Sequence, residues 1–596
     1  EMKLSKLYCH EAQLFGPILF NSGLNVIHAL VTRPKESDKD SHNLGKTLLI
    51  HVIDFVLLKG FDKGFFLYDQ KGVFAEFVFY LEIALNDESF VTIRRAIKNQ
   101  SKVSIKIHKE RHQDFSCLED AQWTHSMLPF DRAKRTLDGL LDLKIIAPWD
   151  YRKGCGYFLR TQVDYLDVFQ IGRFSKGRDS NWKPFMAKLL GINDALIKEK
   201  YEKDTKIAEK ESEKEDIIKA TDRESKGSYD RIKGLIDIKT QEIAEAQKQY
   251  NRFDFYSQEQ KLNMELVDSI EQAIAEKNQR RYVVDYEISK IKAALDVQIG
   301  FDVEQVARIF KEAQIAFPVQ LKRSYDELLE FNRALAHDRN GRLSAQLAKL
   351  EVEQSHTTSE LVKLNARRED ALSILSDTNS LEKFRKLQGL LVLRQTELAR
   401  LQAELEQLDE ITKIDKQIQN FQAKRLEVID EIEEQIKEGN ITYTTIRHHF
   451  NAIIKKVLTL AGLISIGVNR EGNLEFSAQL HESDVRSSQD KGNSYRKFLC
   501  CAFDMALLLT YEKEAFFRFV YHDGVFEGFD NRKKRLLLEV VRDLCENHNI
   551  QYILTVLDAD IPRDENEKRL EFSNDEIILR LWEGDEKGRL FRIHKF

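Results

Sequence analysis

Three consecutive residues, Gly45-Lys46-Thr47, have the types and order found at the end of a phosphate-binding loop. Apolar stretches over 18–27 and 48–53 flank them and predict a strand, a loop and then a helix. In that layout backbone N–H groups at the helix N-terminus hold phosphate, the lysine neutralises its charge and the threonine hydroxyl binds Mg²⁺. The match to GxxxxGK[ST] is incomplete because Asp40 replaces the first glycine and a polar insert over 32–42 precedes the loop. The prediction is a nucleotide site, and a chance match is the alternative.

A second residue that could belong to a nucleotide site lies near the other end of the chain, where the apolar run 516–522 is followed by Asp523. Such a run predicts a buried strand. In P-loop NTPases a carboxylate at the end of such a strand orients Mg²⁺. A structural aspartate in a turn is the alternative, and the sequence alone leaves both interpretations open.

A run of basic residues follows the predicted N-terminal strands and resumes near residue 152. A solvated sheet edge is the ordinary interpretation of such a run, and a surface that contacts DNA phosphates is the functional one. The net charge of −6 gives the chain no overall affinity for nucleic acid, so a DNA contact has to be a local patch. The residues predicted for this patch are Arg94, Arg95, Lys98, Lys102, Arg152 and Lys153.

Composition restricts the class of protein. The 596 residues are 42% hydrophobic, which is enough for real cores, and 32% charged, which favours long solvated helices. None of the six cysteines forms a CxxC pair, so the sequence predicts reduced thiols and neither a zinc finger nor a disulfide framework. No signal peptide and no run of 18 apolar residues is present. We therefore expect a cytoplasmic protein with no membrane contact.

The elements that must position these residues are α/β at both ends of the chain. Strands are predicted at 65–68, 75–83, 90–93, 474–480, 516–523 and 550–556, and helices at 496–511 and 532–547. The glycine-rich stretch 151–165 predicts a shaped loop that contains Gln162, a candidate metal- or water-facing amide that can equally be a surface residue.

The middle of the chain predicts long helices. Leucine and isoleucine recur at alternating spacings of three and four between 343 and 436, which is the pattern of a coiled-coil seam with a phase slip. We expect an ascending arm over 195–250, a descending arm over 341–440 and an aromatic-rich helical module over 251–340, at the middle or the tip of the arm. These segments separate an N-terminal lobe, 1–194, from a C-terminal lobe, 441–596.

The order of lobe, arm, insert, arm and lobe resembles the SMC/RecN/SbcC-like branch of ABC ATPases over the whole chain. The resemblance implies an α/β ABC-type ATPase head that is split between N- and C-terminal lobes and joined by a long antiparallel coiled coil with a mid-arm insert. It also implies ATP and Mg²⁺ as cofactors. The implied nucleotide-site residues are Asn43, Gly45, Lys46 and Thr47 in the P-loop, Gln162 in the Q-loop as a further metal ligand, Gly492 and Ser494 in the signature, Asp523 as the Walker B aspartate and Asp530 in the D-loop.

Several short sequence motifs are similar to those of a narrower group, the SMC-like subunits of prokaryotic three-component defence systems, including Lamassu-type ones. They are the loop 45–47 after its insert, Tyr157–Arg160, Trp182–Phe185, Asp490–Lys497 and His522–Gly524. This resemblance implies a homodimer that forms through the ATPase heads and that engages DNA. It further implies an effector subunit and a small accessory subunit as partners, in defence against phages or plasmids.

The departures from the family concern hydrolysis. Gly524 stands where a typical member has the glutamate that acts as general base, and the signature lacks its Ser-Gly-Gly-Glu. The next carboxylate is Glu527, with His522 as a second candidate base, so we expect slow ATP hydrolysis at most. An ATP-binding scaffold without turnover and a DNA-repair ATPase are alternatives, and a structural coiled-coil protein with an accidental P-loop is a third.

Overall fold

The computed structural model describes most of the chain as two units. The described residues are 2–30, 45–85, 87–172, 177–220, 229–251, 261–296, 319–373, 380–482, 485–486, 492–564, 568–583 and 586–593. One compact unit, here called the head unit, contains Glu1–Tyr201 and Glu427–Phe596. The other, the arm unit, contains Glu202–Leu426.

Fourteen strands are described, all in the head unit. They are β1 (Lys3–Cys9), β2 (Ile18–Leu19), β3 (Leu24–Leu30), β4 (Val78–Ala84), β5 (Phe90–Ala96), β6 (Lys102–His108), β7 (His125–Pro129), β8 (Leu159–Arg160), β9 (Ala461–Val468), β10 (Leu474–Glu482), β11 (Val485–Arg486), β12 (Phe519–His522), β13 (Gln551–Leu557) and β14 (Ile577–Trp582).

The described helices are longest in the middle of the chain. They are α1 (Lys46–Val56), α2 (Phe66–Asp69), α3 (Lys71–Phe74), α4 (Phe130–Leu141), α5 (Tyr151–Phe158), α6 (Lys183–Leu189), α7 (Asp194–Ala220), α8 (Tyr229–Asn251), α9 (Lys261–Asp296), α10 (Val319–Ser373), α11 (Ser380–Glu438), α12 (Ile441–Leu458), α13 (Asn493–Thr510) and α14 (Asn531–Asn547).

A five-stranded parallel sheet at the centre of the head unit combines strands from both ends of the chain. Its order is β14-β3-β13-β12-β8, so the N-terminal strands β3 and β8 pair with strands that lie more than 350 residues later in the chain. Strands β12 and β13 are almost entirely buried apolar runs, as expected where helices cover both faces of a parallel sheet. The carboxyl ends of parallel strands meet at one edge, which is where a ligand site forms.

Two antiparallel sheets complete the described strands of the head unit. One has six strands in the order β2-β1-β4-β5-β6-β7, and the other has three in the order β11-β10-β9. The residues of β9 and β10 pair without a register shift from Leu474 opposite Val468 to His481 opposite Ala461. These sheets account for the predicted strands at 75–83, 90–93 and 474–480, with ends that differ by up to three residues.

Two segments differ from the sequence prediction. Residues 66–68 begin α2, with Phe65 as its N-cap, and do not form a strand; the ring of Phe66 packs edge-on against the rings of Phe65 and Phe74. The predicted loop 151–165 contains helix α5, the short strand β8 and a 3₁₀ turn over Gln162–Tyr165. Gly154 lies inside α5 because a Cβ there would come within 2.5 Å of the Phe517 ring.

The arm unit is built from antiparallel helices. Ion pairs and contacts between apolar side chains hold these helices together. Helix α11 packs on α7 through Asp204–Arg425 and Lys214–Asp415, and on α8 through Lys239–Glu397. Helix α9 packs on α10 through Lys277–Glu360 and Arg280–Glu353. The predicted coiled-coil residues Leu343, Leu347 and Leu350 contact Val284, Ile288 and Ile291 of α9.

Residues 251–340, predicted as an aromatic-rich module, are described over 261–296 and 319–340, and both parts are helical. Of its aromatic residues, Phe253, Phe255, Tyr256, Phe301, Phe310 and Phe317 lie outside the described residues. Among the described helices, none is long and apolar enough to cross a membrane.

Candidate nucleotide site

Helix α1 begins at the motif lysine. Gly45 caps its N-terminus with φ 92°, a left-handed conformation that favours glycine, and a Cβ there would lie 2.7 Å from Cβ of Leu590. Lys46 is the first helical residue and is 8% exposed. Unpaired backbone N–H groups at the start of α1 can therefore face a phosphate beside the lysine charge. Asn43 lies outside the described residues.

The structure brings Thr47 and Asp523, 476 residues apart in the chain, into direct contact. Thr47 Oγ1 donates a 2.7 Å hydrogen bond to Asp523 Oδ2. Asp523 follows β12 at the carboxyl edge of the parallel sheet and is fully buried. Among the described residues its carboxyl group accepts hydrogen bonds from two threonine hydroxyls and forms no ion pair. A buried carboxylate beside a hydroxyl oxygen is a fitting pair of ligands for Mg²⁺, which prefers oxygen.

Thr555 is a site residue that the sequence analysis missed. Its Oγ1 donates to Asp523 Oδ1 at 2.6 Å and accepts a hydrogen bond from the backbone N–H of Gly524 at 2.7 Å. The side chain is 1% exposed and lies on β13, which pairs with β12. A threonine within a strand of apolar residues was the available signal, but its partner is fixed only by strand pairing.

Glu527 occupies the space beside Gly524. Gly524 has φ 64°, and a Cβ at this position would lie 2.7 Å from Glu527 Oε1 and 3.1 Å from Gln162 Nε2. Gln162 Nε2 in turn donates to Glu527 Oε1 at 3.3 Å. The Glu527 side chain is 33% exposed, which leaves it accessible to water. The predicted Q-loop amide and the predicted base are therefore direct neighbours.

The prediction that His522 could act as a base is wrong. Its ring is fully buried, with Nδ1 2.6 Å from the Tyr552 hydroxyl and Nε2 3.1 Å from Asp504 Oδ2. Burial lowers the pKa of His522, and the hydrogen bond that its ring donates to the Asp504 carboxylate opposes this effect. Because successive residues of a strand point to opposite faces, His522 cannot follow Asp523 into the site.

A buried ion pair lies next to this histidine. Arg160 donates from Nε to Asp504 Oδ2 at 2.6 Å and from Nη2 to Asp504 Oδ1 at 2.9 Å, and both side chains are fully buried. Arg160 belongs to β8 and Asp504 to α13. The network of Arg160, Asp504, His522 and Tyr552 therefore connects α13 to three strands of the parallel sheet. A single aspartate in the apolar run 498–509 was the sequence signal.

The predicted signature and D-loop residues lie close together. Helix α13 begins at Asn493 with Gly492 as its N-cap, and Ser494 Oγ lies against Gly528, whose φ is 83°. Asp530 caps α14 by accepting a 3.0 Å hydrogen bond from the backbone N–H of Lys533. Gly528 leaves room for Ser494, so the two loops can pack closely.

The comparisons with known proteins add the following. Residues 450–595 match a family described as "Uncharacterised protein conserved in bacteria (DUF2326)". The comparison with curated proteins gives no match. One similar solved structure is the Smc head domain with a coiled coil and joint from Pyrococcus yayanosii, at 16% identity and a TM-score of 0.32, covering 97% of this chain and 98% of that one.

Another is the Smc head domain with an extended coiled coil bound to the C-terminal domain of ScpA from Pyrococcus furiosus. It is 12% identical with a TM-score of 0.34, and covers 94% of this chain and 91% of that one.

The predicted DNA patch is only partly at the surface. Arg95 is 1% exposed and donates to the backbone oxygens of Phe55, Lys59 and Gln100. Arg152 is 9% exposed and pairs with Asp54 at 2.6 Å. The prediction that these two residues contact DNA is wrong, because their guanidinium groups hold the C-terminal end of α1 in place.

The other four basic residues are more accessible. Lys98 has a 74% exposed side chain that pairs at the surface with Glu76 at 3.3 Å, whereas Arg94 is 18% exposed and pairs with Asp120. Lys102 is half-buried, and Lys153 donates to the backbone oxygen of Asn181. Lys98 and Lys102 are the better remaining candidates for a DNA phosphate contact.

Proposed function

We propose that the head unit binds ATP with Mg²⁺ and hydrolyses it slowly, and that two heads dimerise around the nucleotide. The observation that carries this proposal is the contact between Thr47, at the start of α1, and the buried Asp523. Lys46 would neutralise the β- and γ-phosphates, and Thr47 with Asp523 would hold Mg²⁺. The metal would supply charge neutralisation on the transferred phosphoryl group.

Glu527 supports turnover in place of the missing glutamate at 524. Its carboxylate would accept a proton from water while the water oxygen attacks the γ-phosphorus and the bond to the ADP oxygen breaks, leaving ADP with the bonding pair. A positioned general base contributes about 10²–10⁴ in rate. Gln162 holds Glu527 Oε1, and this contact orients the carboxylate.

The test is ATP affinity in the full chain with and without Mg²⁺. We expect Lys46→Ala to weaken ATP binding by at least about tenfold, because a hydrogen bond to a charged group contributes roughly 1.5–3 kcal/mol. Lys144→Ala is the control, since that side chain is 73% exposed and pairs with Asp142 on the surface. Equal ATP affinity in wild type and Lys46→Ala would refute the nucleotide site.

Gly524 favours a second candidate function, an ATP-binding scaffold without turnover. Steady-state hydrolysis by the wild type and Glu527→Gln separates the two. A wild type that binds ATP and has no more turnover than Glu527→Gln under any condition would favour the scaffold.

We propose that the dimer engages DNA and controls an effector subunit, together with a small accessory subunit, in defence against phages or plasmids. The short sequence motifs similar to those of the defence family support the role in defence, and the exposed side chain of Lys98 supports the contact with DNA. Reversing Lys98 and Lys102 to glutamate should lower the log–log salt slope of duplex binding by about 0.9 per lost contact, while Lys144→Glu leaves it unchanged. Copurification from native cells followed by mass spectrometry tests the subunits, and capture of DNA-repair proteins in their place would favour a repair role.

A further inference from the structure

Lys497 connects the helix after the predicted signature loop to the proposed base. It lies in the second turn of α13, and its Nζ donates to the backbone oxygen of Gly524 at 2.8 Å. The same Nζ lies 3.5 Å from Glu527 Oε2. Only 15% of the Lys497 side chain is exposed, so its contacts are partly shielded from solvent.

The two oxygens of Glu527 are thereby held from two directions. Gln162 Nε2 contacts Oε1 at 3.3 Å and Oε2 at 3.4 Å from the turn that follows β8, and Lys497 contacts Oε2 at 3.5 Å from α13. The Lys497 ammonium also lies 5.6 Å from the ring centre of Tyr165, in the same turn as Gln162. A glutamate in a loop otherwise samples several rotamers, and fixing one of them removes that entropy before the reaction.

We propose that Lys497 is a positioning residue for Glu527 and that it couples hydrolysis to the contacts of α13. This inference rests on the proposed function. In the proposed dimer Glu527 serves the nucleotide of its own head, whereas Ser494, one turn before Lys497, faces the nucleotide of the second head. When Ser494 contacts the nucleotide of the second head, α13 shifts and moves Lys497, and Glu527 moves with it. Nucleotide bound to one head thereby changes the position of the general base in the other head.

The experiment measures kcat, KM for ATP and ATP affinity for full-length variants. Lys497→Met keeps the length of the side chain and removes its charge, and we expect kcat to fall by about tenfold with unchanged ATP affinity. Lys497→Arg restores the charge and should recover most of kcat. Lys534→Met is the matched control, because Lys534 is 12% exposed and forms an ion pair of 2.6 Å with Asp560 elsewhere in the head unit.

A double variant makes the test specific. If Lys497 acts through Glu527, Lys497→Met should lower kcat no further in the Glu527→Gln background. An equal fold-loss in both backgrounds, or no loss in wild type, overturns the inference. The same holds if Lys497→Met and Lys534→Met lower kcat equally.

The failure of the inference is distinguishable from failure of the proposed function. No ATP binding by the wild type would refute the function itself. ATP binding with wild-type turnover equal to that of Glu527→Gln would leave the nucleotide site intact and overturn the role of Lys497.

Discussion

Asp523 is buried, and two threonine hydroxyls donate hydrogen bonds to its carboxyl group. Thr47 donates to one oxygen and Thr555 to the other. Hydrogen bonds to an ionised group contribute roughly 1.5–3 kcal/mol each. When Mg²⁺ binds, Thr47 and Asp523 would turn to the metal, while Thr555 keeps the carboxylate oriented.

Thr555→Val therefore tests the orientation of Asp523. The change removes the hydroxyl at nearly constant volume and leaves Asp523 Oδ1 and the Gly524 N–H without this partner, so we expect a loss of about 1–3 kcal/mol in unfolding free energy. ATP turnover should fall, and the Mg²⁺ concentration needed for ATP binding should rise. Chemical denaturation and Mg²⁺ titrations measure both, with Thr555→Ser as the control that keeps the hydroxyl. If Thr555→Val has the same unfolding free energy and the same Mg²⁺ requirement as the wild type, Thr47 alone orients Asp523.

Single residues also show what a local pattern can predict. The positions of Lys46 and Thr47 at the start of a helix and of Asp523 after a buried strand could be predicted from such patterns, whereas their roles in nucleotide binding stay predictions. Thr555 and Asp504 could not, because their roles depend on which strand and helix lie beside them. Charge alone did not distinguish the buried Arg95 from the exposed Lys98.

At the scale of elements, the Arg160–Asp504 pair connects α13 to strand β8 of the parallel sheet. Breaking a buried ion pair by removing one charge typically costs about 3–5 kcal/mol, because the other charge is left uncompensated. Asp504→Asn should thus destabilise the protein far more than Asp142→Asn. Asp142 pairs with Lys144 at the surface, where an ion pair contributes little to stability.

Denaturant titration of the full chain checks this difference. The double variant Arg160→Met/Asp504→Leu should recover part of the loss, since apolar residues can replace a buried ion pair. A double variant less stable than Asp504→Asn would mean that the carbonyl oxygens of Asp164, Asp167 and Val168, which accept from Arg160, need its charge.

An open polar cavity of about 390 Å³ lies between α8, α9 and α11 of the arm unit. Burial raises the pKa of Glu271 in its wall to about 7, aided by Asp268 on the same helix and opposed by Arg368 on α10. Tyr250 faces the cavity from α8, and the neutral Gln388 faces it from α11. Glu271 Oε1 and Gln388 Nε2 are buried without a hydrogen-bond partner among the described residues.

This carboxyl group makes the local stability of α9 depend on pH. The folded state holds a proton on Glu271 between the ordinary pKa of 4.5 and about 7, where the unfolded state has lost it. The stability is therefore present at low pH and is lost as pH rises through about 7. Hydrogen exchange of α9 amides in the full chain, corrected for intrinsic rates, should show weaker protection at about pH 8 than at about pH 6. Glu271→Gln should flatten this dependence, and an unchanged dependence would assign it to another group.

At the scale of the whole molecule, residues from distant parts of the chain meet only because the parallel sheet combines its two ends. The predicted order of apolar runs and long helices was sufficient to expect an α/β region at each end with helices between. The strand order β14-β3-β13-β12-β8 could not be predicted, since it depends on long-range pairing. In the arm unit, the sequence predicts that the descending arm 341–440 pairs with the ascending arm 195–250. Residues 343–350 instead pack on α9, within the predicted module 251–340, because the heptad pattern shows which residues form a seam and not which helix they meet.

The last prediction concerns the assembly of two chains. Ser494 packs against Gly528 near the start of α13, and the loop beside it is the surface proposed to meet the partner's nucleotide. With ATP and Mg²⁺, Glu527→Gln should form a species of twice the monomer mass of 69.6 kDa, because slow hydrolysis prolongs the engaged state. Adding Ser494→Arg should prevent this dimer by steric bulk while ATP still binds each monomer. Light scattering with and without nucleotide measures both, and Lys144→Arg is the control at an exposed position. A monomer under every condition, or a dimer insensitive to Ser494→Arg, would exclude engagement through this surface.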